Sequence, residues 1–183
     1  MKRFFILIAT IVFSHGALCA PNDPPPILQA CAACHGDKGV SANPEWPHLA
    51  GQNIRYLQKQ LMDYHEGKTR QSPMMTGLAA TLTPEMMESL AQYYAALPRA
   101  HGTTPESYRL RGETLYRTGD SAKGVTACIA CHGPDGTGNA EGGFPLIAGQ
   151  QVLYTIQQLH AFQQKARSND LNGIMQDLSL IHI

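Results

Sequence analysis

The chain is poor in what large cores and one-sided charge fields are built from. Aromatic residues make up 7% of its 183 residues and charged ones 15%. So few large side chains limit the apolar area a domain can bury, and something besides packing must help hold the domains together. Neither sign of charge is in excess, with 14 Lys and Arg against 14 Asp and Glu. Without a basic surplus there is no electrostatic footprint for nucleic acid. Long apolar runs are lacking too: Phe4 to Phe13 is about half the roughly 20 residues a helix needs to cross a bilayer, which argues against a permanent anchor. No stretch sustains the apolar and polar alternation of a half-buried strand, so the predicted class is all-α.

The N-terminus reads as a secretory leader. Met1, Lys2 and Arg3 give it a positive start, the apolar run follows, and Ser14 to Ala20 form a short exit with small residues. Cleavage near Ala20 and export to the periplasm are the expectation. A lipid attachment at Cys19 fits less well, because Gly16 and Leu18 do not match that signal. Cleavage removes Cys19 together with Lys2 and Arg3, leaving four cysteines and 12 basic against 14 acidic side chains.

Those four cysteines fall in a repeat. CAACHGDKG runs from Cys31 to Gly39 and CIACHGPDG from Cys128 to Gly136, 97 residues apart. PHLAGQ from Pro47 then matches PLIAGQ from Pro145, and YLQKQL from Tyr56 matches YTIQQL from Tyr154, both 98 residues apart. Arg70 with Met74 and Met75, and Arg167 with Met175, complete the parallel. One unit used twice predicts two tandem domains. The leader takes 1–20, the first domain 21–98, a Pro, Gly and Thr linker 99–105, and the second domain 106–183.

Apolar residues at Ile54, Leu57, Leu61 and Tyr64 mark one face of a helix over 52–64, with a partner over 150–163. Thr83, Pro84 and Glu85 read as N-cap, first-turn proline and acid at the positive end of a helix running to about Leu97. A further helix is predicted over 106–117. Tyr93 and Tyr94 with Leu90 and Leu97, and Trp46, are expected to pack. His48, His65, His101 and His160 lack partners in the other copy and are expected on surfaces or helix faces.

C-x-x-C-H is a haem attachment signal. Two thiols three positions apart on a helical turn can reach the two vinyl groups of one haem, while the adjacent imidazole points at the iron. Other readings of the cysteines remain: a disulfide within each pair, which would leave the histidine idle, or a shared zinc site, for which the spacer is long. With His35 and His132 on one side of each iron, the other side needs a ligand, and a Met thioether suits an electron-carrying cytochrome. Met74, Met75, Met86 and Met87 are the candidates in the first copy. Met86 and Met87 lie in a predicted helix, where packing is expected of them. Met74 and Met75 follow Pro73 in a predicted loop. In the second copy Ile174 and Met175 take that place, so the common ligand is the second of each pair.

The combination CxxCHG, P-x-[LI]-AGQ, Y-x-x-x-QL, Arg, then Met and the helix LAQYYAAL resembles the class I cytochromes c, and among them the two-haem cytochrome c4 group. The resemblance spans nearly all of the chain after the leader. It implies two small helical domains, each around one covalent haem c, and a soluble or membrane-associated periplasmic protein. Such a protein passes electrons from a quinol-oxidising complex to a terminal oxidase or reductase, with redox proteins as its partners. Carried across by position, Cys31, Cys34, Cys128 and Cys131 are the thioether attachments, His35 and His132 the proximal ligands, and Met75 and Met175 the distal ones. The resemblance also implies that Pro47 and Pro145 accept the second ring proton of each histidine through their carbonyls. Gly36, Gly39, Gly133 and Gly136 would allow tight turns after the ligand.

The second copy departs from the pattern by ending without a counterpart of the closing helix after Thr83, so apolar surface of that domain is expected to be open. Leu178 to Ile183 (LSLIHI) is also the translation of CTGTCTCTTATACACATC, a transposase end sequence, which suggests a gene fragment joined to added DNA. Two strong axial ligands per iron leave no open position for a substrate, so a monomeric electron carrier and no enzyme is the expectation. The rivals are a dihaem peroxidase-like enzyme, a haem subunit of a periplasmic oxidoreductase, and a subunit docked in a membrane complex.

Overall fold

The computed structural model describes residues 27–179; the leader with Cys19 and the segment from Leu180 to Ile183 lie outside them. Eight α-helices follow in order: α1 (Leu28–His35), α2 (Ile54–Glu66), α3 (Pro73–Ala79), α4 (Pro84–Ala96), α5 (Glu106–Thr118), α6 (Ile129–His132), α7 (Val152–Gln163) and α8 (Ile174–Ser179). Short 3-10 turns lie at Ser121–Lys123 and Leu171–Gly173. Among the described residues only isolated β-bridges occur, so the class is all-α. None of the described helices is long and apolar enough to cross a membrane.

The first unit closes around α2 and α4. Leu57 of α2 meets Met87, Leu90, Ala91 and Tyr94 of α4 in a buried cluster with Cys31 and Leu82. Tyr93 and Leu97 pack on its edge. Local chemistry sets the helix ends. The Thr83 hydroxyl accepts the Met86 N–H at 3.3 Å with Pro84 in the first turn, and α2 stops at Gly67, whose φ of 63° is left-handed. Pro73 begins a helix rather than a loop. The Ser72 hydroxyl accepts the Met75 N–H at 3.4 Å, and the proline occupies a position where a missing N–H costs nothing, so Met74 and Met75 sit on the first turn of α3.

The second unit is built differently on one side. None of the residues of α5 is buried, and Tyr108 and Leu110 are 70% and 65% exposed. Among the described residues no helix takes the place that α4 has in the first unit. α7 packs on α8, and Leu146 and Phe162 are buried.

The two units meet along a seam of reciprocal hydrogen bonds. Gln52 Nε2 donates to the Leu146 carbonyl and Gln52 Oε1 accepts the Leu146 N–H, both at 2.8 Å. The counterpart 98 residues on repeats the pattern: Gln150 Nε2 donates to the His48 carbonyl at 3.0 Å, and the His48 N–H donates to Gln150 Oε1 at 2.8 Å. Arg70 donates to the Tyr154 hydroxyl at 2.8 Å and Arg167 to the Tyr56 hydroxyl at 3.0 Å. Each unit thus lends the same side chains to the other.

Leu90 is 2% exposed at the centre of the first core. Leu90→Ala should cost about 2–5 kcal/mol through lost contact and a residual cavity, seen as a lower denaturant midpoint by circular dichroism.

Candidate metal centre

Each site is assembled from a helix end and a returning loop. His35 is the last residue of α1, with Cys31 and Cys34 on the turn before it. His132 ends α6 in the same way, after Cys131 and the N-capping Cys128. Neither cysteine pair is closed as a disulfide. Gly36 and Gly133 follow with φ of 80° and 77°, turning the chain back at once. The carbonyl of Gly39 then accepts the N–H groups of Leu49 and Ala50 at 2.8 and 3.1 Å, and that of Gly136 accepts those of Ile147 and Ala148 at 2.8 and 3.0 Å. This tie closes the loop and delivers a proline carbonyl to each ring.

His35 Nδ1 lies 2.9 Å from the Pro47 carbonyl oxygen, and His132 Nδ1 lies 2.9 Å from that of Pro145. A carbonyl only accepts, so Nδ1 carries the proton in both rings and Nε2 keeps its lone pair. Both histidines are buried, at 7% and 8% exposure. Burial pushes each imidazole below its ordinary pKa, outweighing the opposing pull of the proline carbonyl. Two neutral imidazoles, each with a single free nitrogen beside a pair of thiols, make a donor set suited to a soft or borderline metal in a covalently fastened macrocycle.

The methionine side is nearer than sequence distance suggests. Met74 Sδ lies 4.0 Å from Cys34 Sγ, which brings the first turn of α3 against the cysteine pair. Met74 is 58% exposed and Ile174 36%, whereas Met75 and Met175 are both half-buried. Met87 is buried in the core, and its neighbour Met86 is exposed. His65 is used structurally, its Nδ1 2.9 Å from the Ala79 carbonyl. His48 Nδ1 accepts the Ser41 N–H at 3.0 Å.

The family sequence pattern described as Cytochrome c matches residues 27–97 and again 110–177. The chain is 43% identical over 146 residues to cytochrome c4 of Thiocapsa roseopersicina, covering 79% of this chain and 75% of that one. The chain belongs to the cytochrome c4 family. The crystal structure of reduced recombinant cytochrome c4 from Pseudomonas stutzeri superposes with a TM-score of 0.81 at 36% identity, over 87% of this chain and 90% of that chain. A protein named thiosulfate dehydrogenase electron acceptor, from Thiomonas intermedia, is 37% identical over 161 residues, covering 85% and 73%. As a cytochrome c4, the chain is a dihaem electron-transfer protein with two covalently bound haems c and redox proteins for partners.

Sequence reading did not foresee the glutamines and tyrosines of the repeat as contacts between units. The signal was there: Gln52, Gln60 and Tyr56 recur as Gln150, Gln158 and Tyr154 at one offset, on helices that need only one apolar face.

A β-carbon on Gly39 would come within 2.8 Å of the Tyr94 ring, and its φ of 68° is left-handed. Gly39→Ala should therefore destabilise the first unit by about 1–3 kcal/mol and loosen the loop carrying Pro47. Denaturant unfolding and the high-spin fraction of the visible spectrum would measure the two effects.

Proposed function

We propose that this cytochrome works in the periplasm after removal of a leader ending near Ala20, carrying electrons from a quinol-oxidising complex to a terminal oxidase or reductase. The first haem is fastened by Cys31 and Cys34 and held by His35 and Met75; the second is fastened by Cys128 and Cys131 and held by His132 and Met175. The domains run over 21–98 and 106–183, joined by 99–105. The observation that carries this reading is the paired geometry of His35 and His132, each buried, neutral and fixed through Nδ1 by a proline carbonyl. The partial burial of the second residue of each pair, Met75 and Met175, supports them over the more exposed Met74 and Ile174.

The haem iron supplies one-electron chemistry between two valence states. The protein's part is to hold both axial groups in place, so that little rearranges when the charge changes. The Pro47 and Pro145 carbonyls hold the rings, and their pull on the Nδ1 proton makes each Nε2 a stronger donor. Ser72 secures the turn of α3 that bears Met75. A haem iron held by a histidine on one side and a methionine on the other would leave no place for substrate, which separates a carrier from a peroxidase-like enzyme. The Thiomonas intermedia relative favours a second reading of the electron source, a thiosulfate-oxidising enzyme.

The haemochrome assay on the matured protein should count two haems per chain; a single haem would overturn the proposal. Met75→Ala should lower the first haem's potential and open that iron to carbon monoxide in the reduced state. Met74→Ala should leave both unchanged, and the reverse outcome would move the ligand to Met74.

A further inference from the structure

The core of the first unit contains a polar atom with nothing to bind. Tyr94 is 3% exposed, and its hydroxyl oxygen is buried without a hydrogen-bond partner among the described residues. The ring has little room to carry that hydroxyl elsewhere. A β-carbon on Gly39 would come within 2.8 Å of one ring edge, and the Tyr94 carbonyl accepts the Gly51 N–H at 2.9 Å. A buried phenol ordinarily finds an acceptor, because leaving it unmatched forfeits the hydrogen bond it had to water. Burial first, and then the Cys31 sulfur beside it, push Tyr94 above its ordinary pKa, so the proton stays on the oxygen as a donor.

Cys31 belongs to the same buried cluster. As a thiol it is itself a donor, and its S–H reaches the Ile27 carbonyl at 3.6 Å. Attachment to haem changes that role. The Cys31 S–H adds across a vinyl group: sulfur bonds the carbon next to the macrocycle, the proton goes to the terminal carbon, and no electron is gained or lost. The resulting thioether has lone pairs and no proton, so it only accepts. The Ile27 carbonyl needs no replacement for the lost donor, because it also accepts the Ala30 N–H at 3.1 Å. A buried donor lacking an acceptor and a buried acceptor lacking a donor then share one cluster.

We infer that the Tyr94 hydroxyl donates to the Cys31 thioether sulfur, which makes Tyr94 a positioning residue for the first haem alone. The bond turns the positive end of the O–H dipole toward the haem edge and so favours the extra electron of the reduced state. The second unit is built otherwise. Tyr116 feels the charge of Cys128, but its hydroxyl already donates to the Gly133 carbonyl at 2.5 Å. Two sites with matching motifs are thereby given different potentials. The inference rests on Cys31 fastening a haem and is independent of which methionine closes the iron.

Redox titration of the haem-loaded protein tests it with Tyr94→Phe, which keeps the ring and removes the hydroxyl. A haem count on the parent protein comes first, so that failure of the attachment reading is recognised separately. In Tyr94→Phe one of the two midpoint potentials should fall and the other stay. The carbon–sulfur stretch of a thioether should shift in the resonance Raman spectrum, a change that loss of packing alone would not produce. Stability supplies a sign as well: removing a bonded hydroxyl lowers the denaturant midpoint, whereas removing an unmatched one leaves it or raises it.

Tyr93→Phe is the control. Its ring stands edge-on to Tyr94 at 5.3 Å between centroids, and the change should move neither the potentials nor the Raman band. Cys31→Ala completes the cycle, since Cys34 still fastens the haem and adding Tyr94→Phe should then lower nothing further. Unaltered potentials in Tyr94→Phe, an equal shift in Tyr93→Phe, or the same fall with and without Cys31 would overturn the inference. Should Cys31→Ala fail to mature, a crystal structure of the haem-loaded protein decides: Tyr94 Oη within hydrogen-bond reach of Cys31 Sγ upholds it, and a hydroxyl bonded elsewhere or to nothing refutes it.

Discussion

The hydrogen bond from each histidine Nδ1 to a proline carbonyl is the constraint on which the sites depend. An imidazole has two nitrogens and can rotate, so a lone histidine after a cysteine pair offers a metal no defined direction. Binding Nδ1 at 2.9 Å sets the tautomer, the ring plane and the free lone pair together. Proline is suited to the acceptor position because it gives a carbonyl, has no N–H to satisfy and holds its own φ. The glycine turns after each histidine and the Gly39 and Gly136 carbonyl ties bring that proline back 12 and 13 residues on. A haem fastened to the cysteines would meet a ring that is already aimed.

The same returning loops hold the molecule together. His48 and Leu146, next in line after the prolines, give their backbone groups to glutamines of the opposite unit. Movement of one unit against the other would disturb the segments that aim the histidines. For a dihaem carrier this links the geometry of each site to the relation between the two. The seam is polar where a core would be apolar, as expected for small units with few aromatics and modest interiors.

The two units share a motif order but differ in burial. In the first, α4 contributes Met87, Leu90, Ala91 and Tyr94 to one closed cluster. In the second, α5 contributes nothing buried, and Tyr108 and Leu110 face outward. The loop predicted around Met74 and Met75 is not found, because the Ser72 cap and Pro73 start a helix there. Ser-Pro followed by helix formers carries the same start signal as Thr83-Pro84.

The proline acceptors came from the family resemblance; the sequence by itself determined the helical class, the doubled unit and the cysteine and histidine stations. Those depend on local spacing: three positions to a helical turn, adjacent residues in a motif, and repetition at one offset. Only the tertiary structure decided where the repeated polar residues go. Tyr56, Gln60 and Arg70 lie within 15 residues of one another in sequence, yet Tyr56 binds Arg167 and Arg70 binds Tyr154 in the other half. A hydrogen bond between residues some hundred positions apart depends on how two surfaces meet, and a periodic pattern can place a side chain on a helix face without naming what lies opposite.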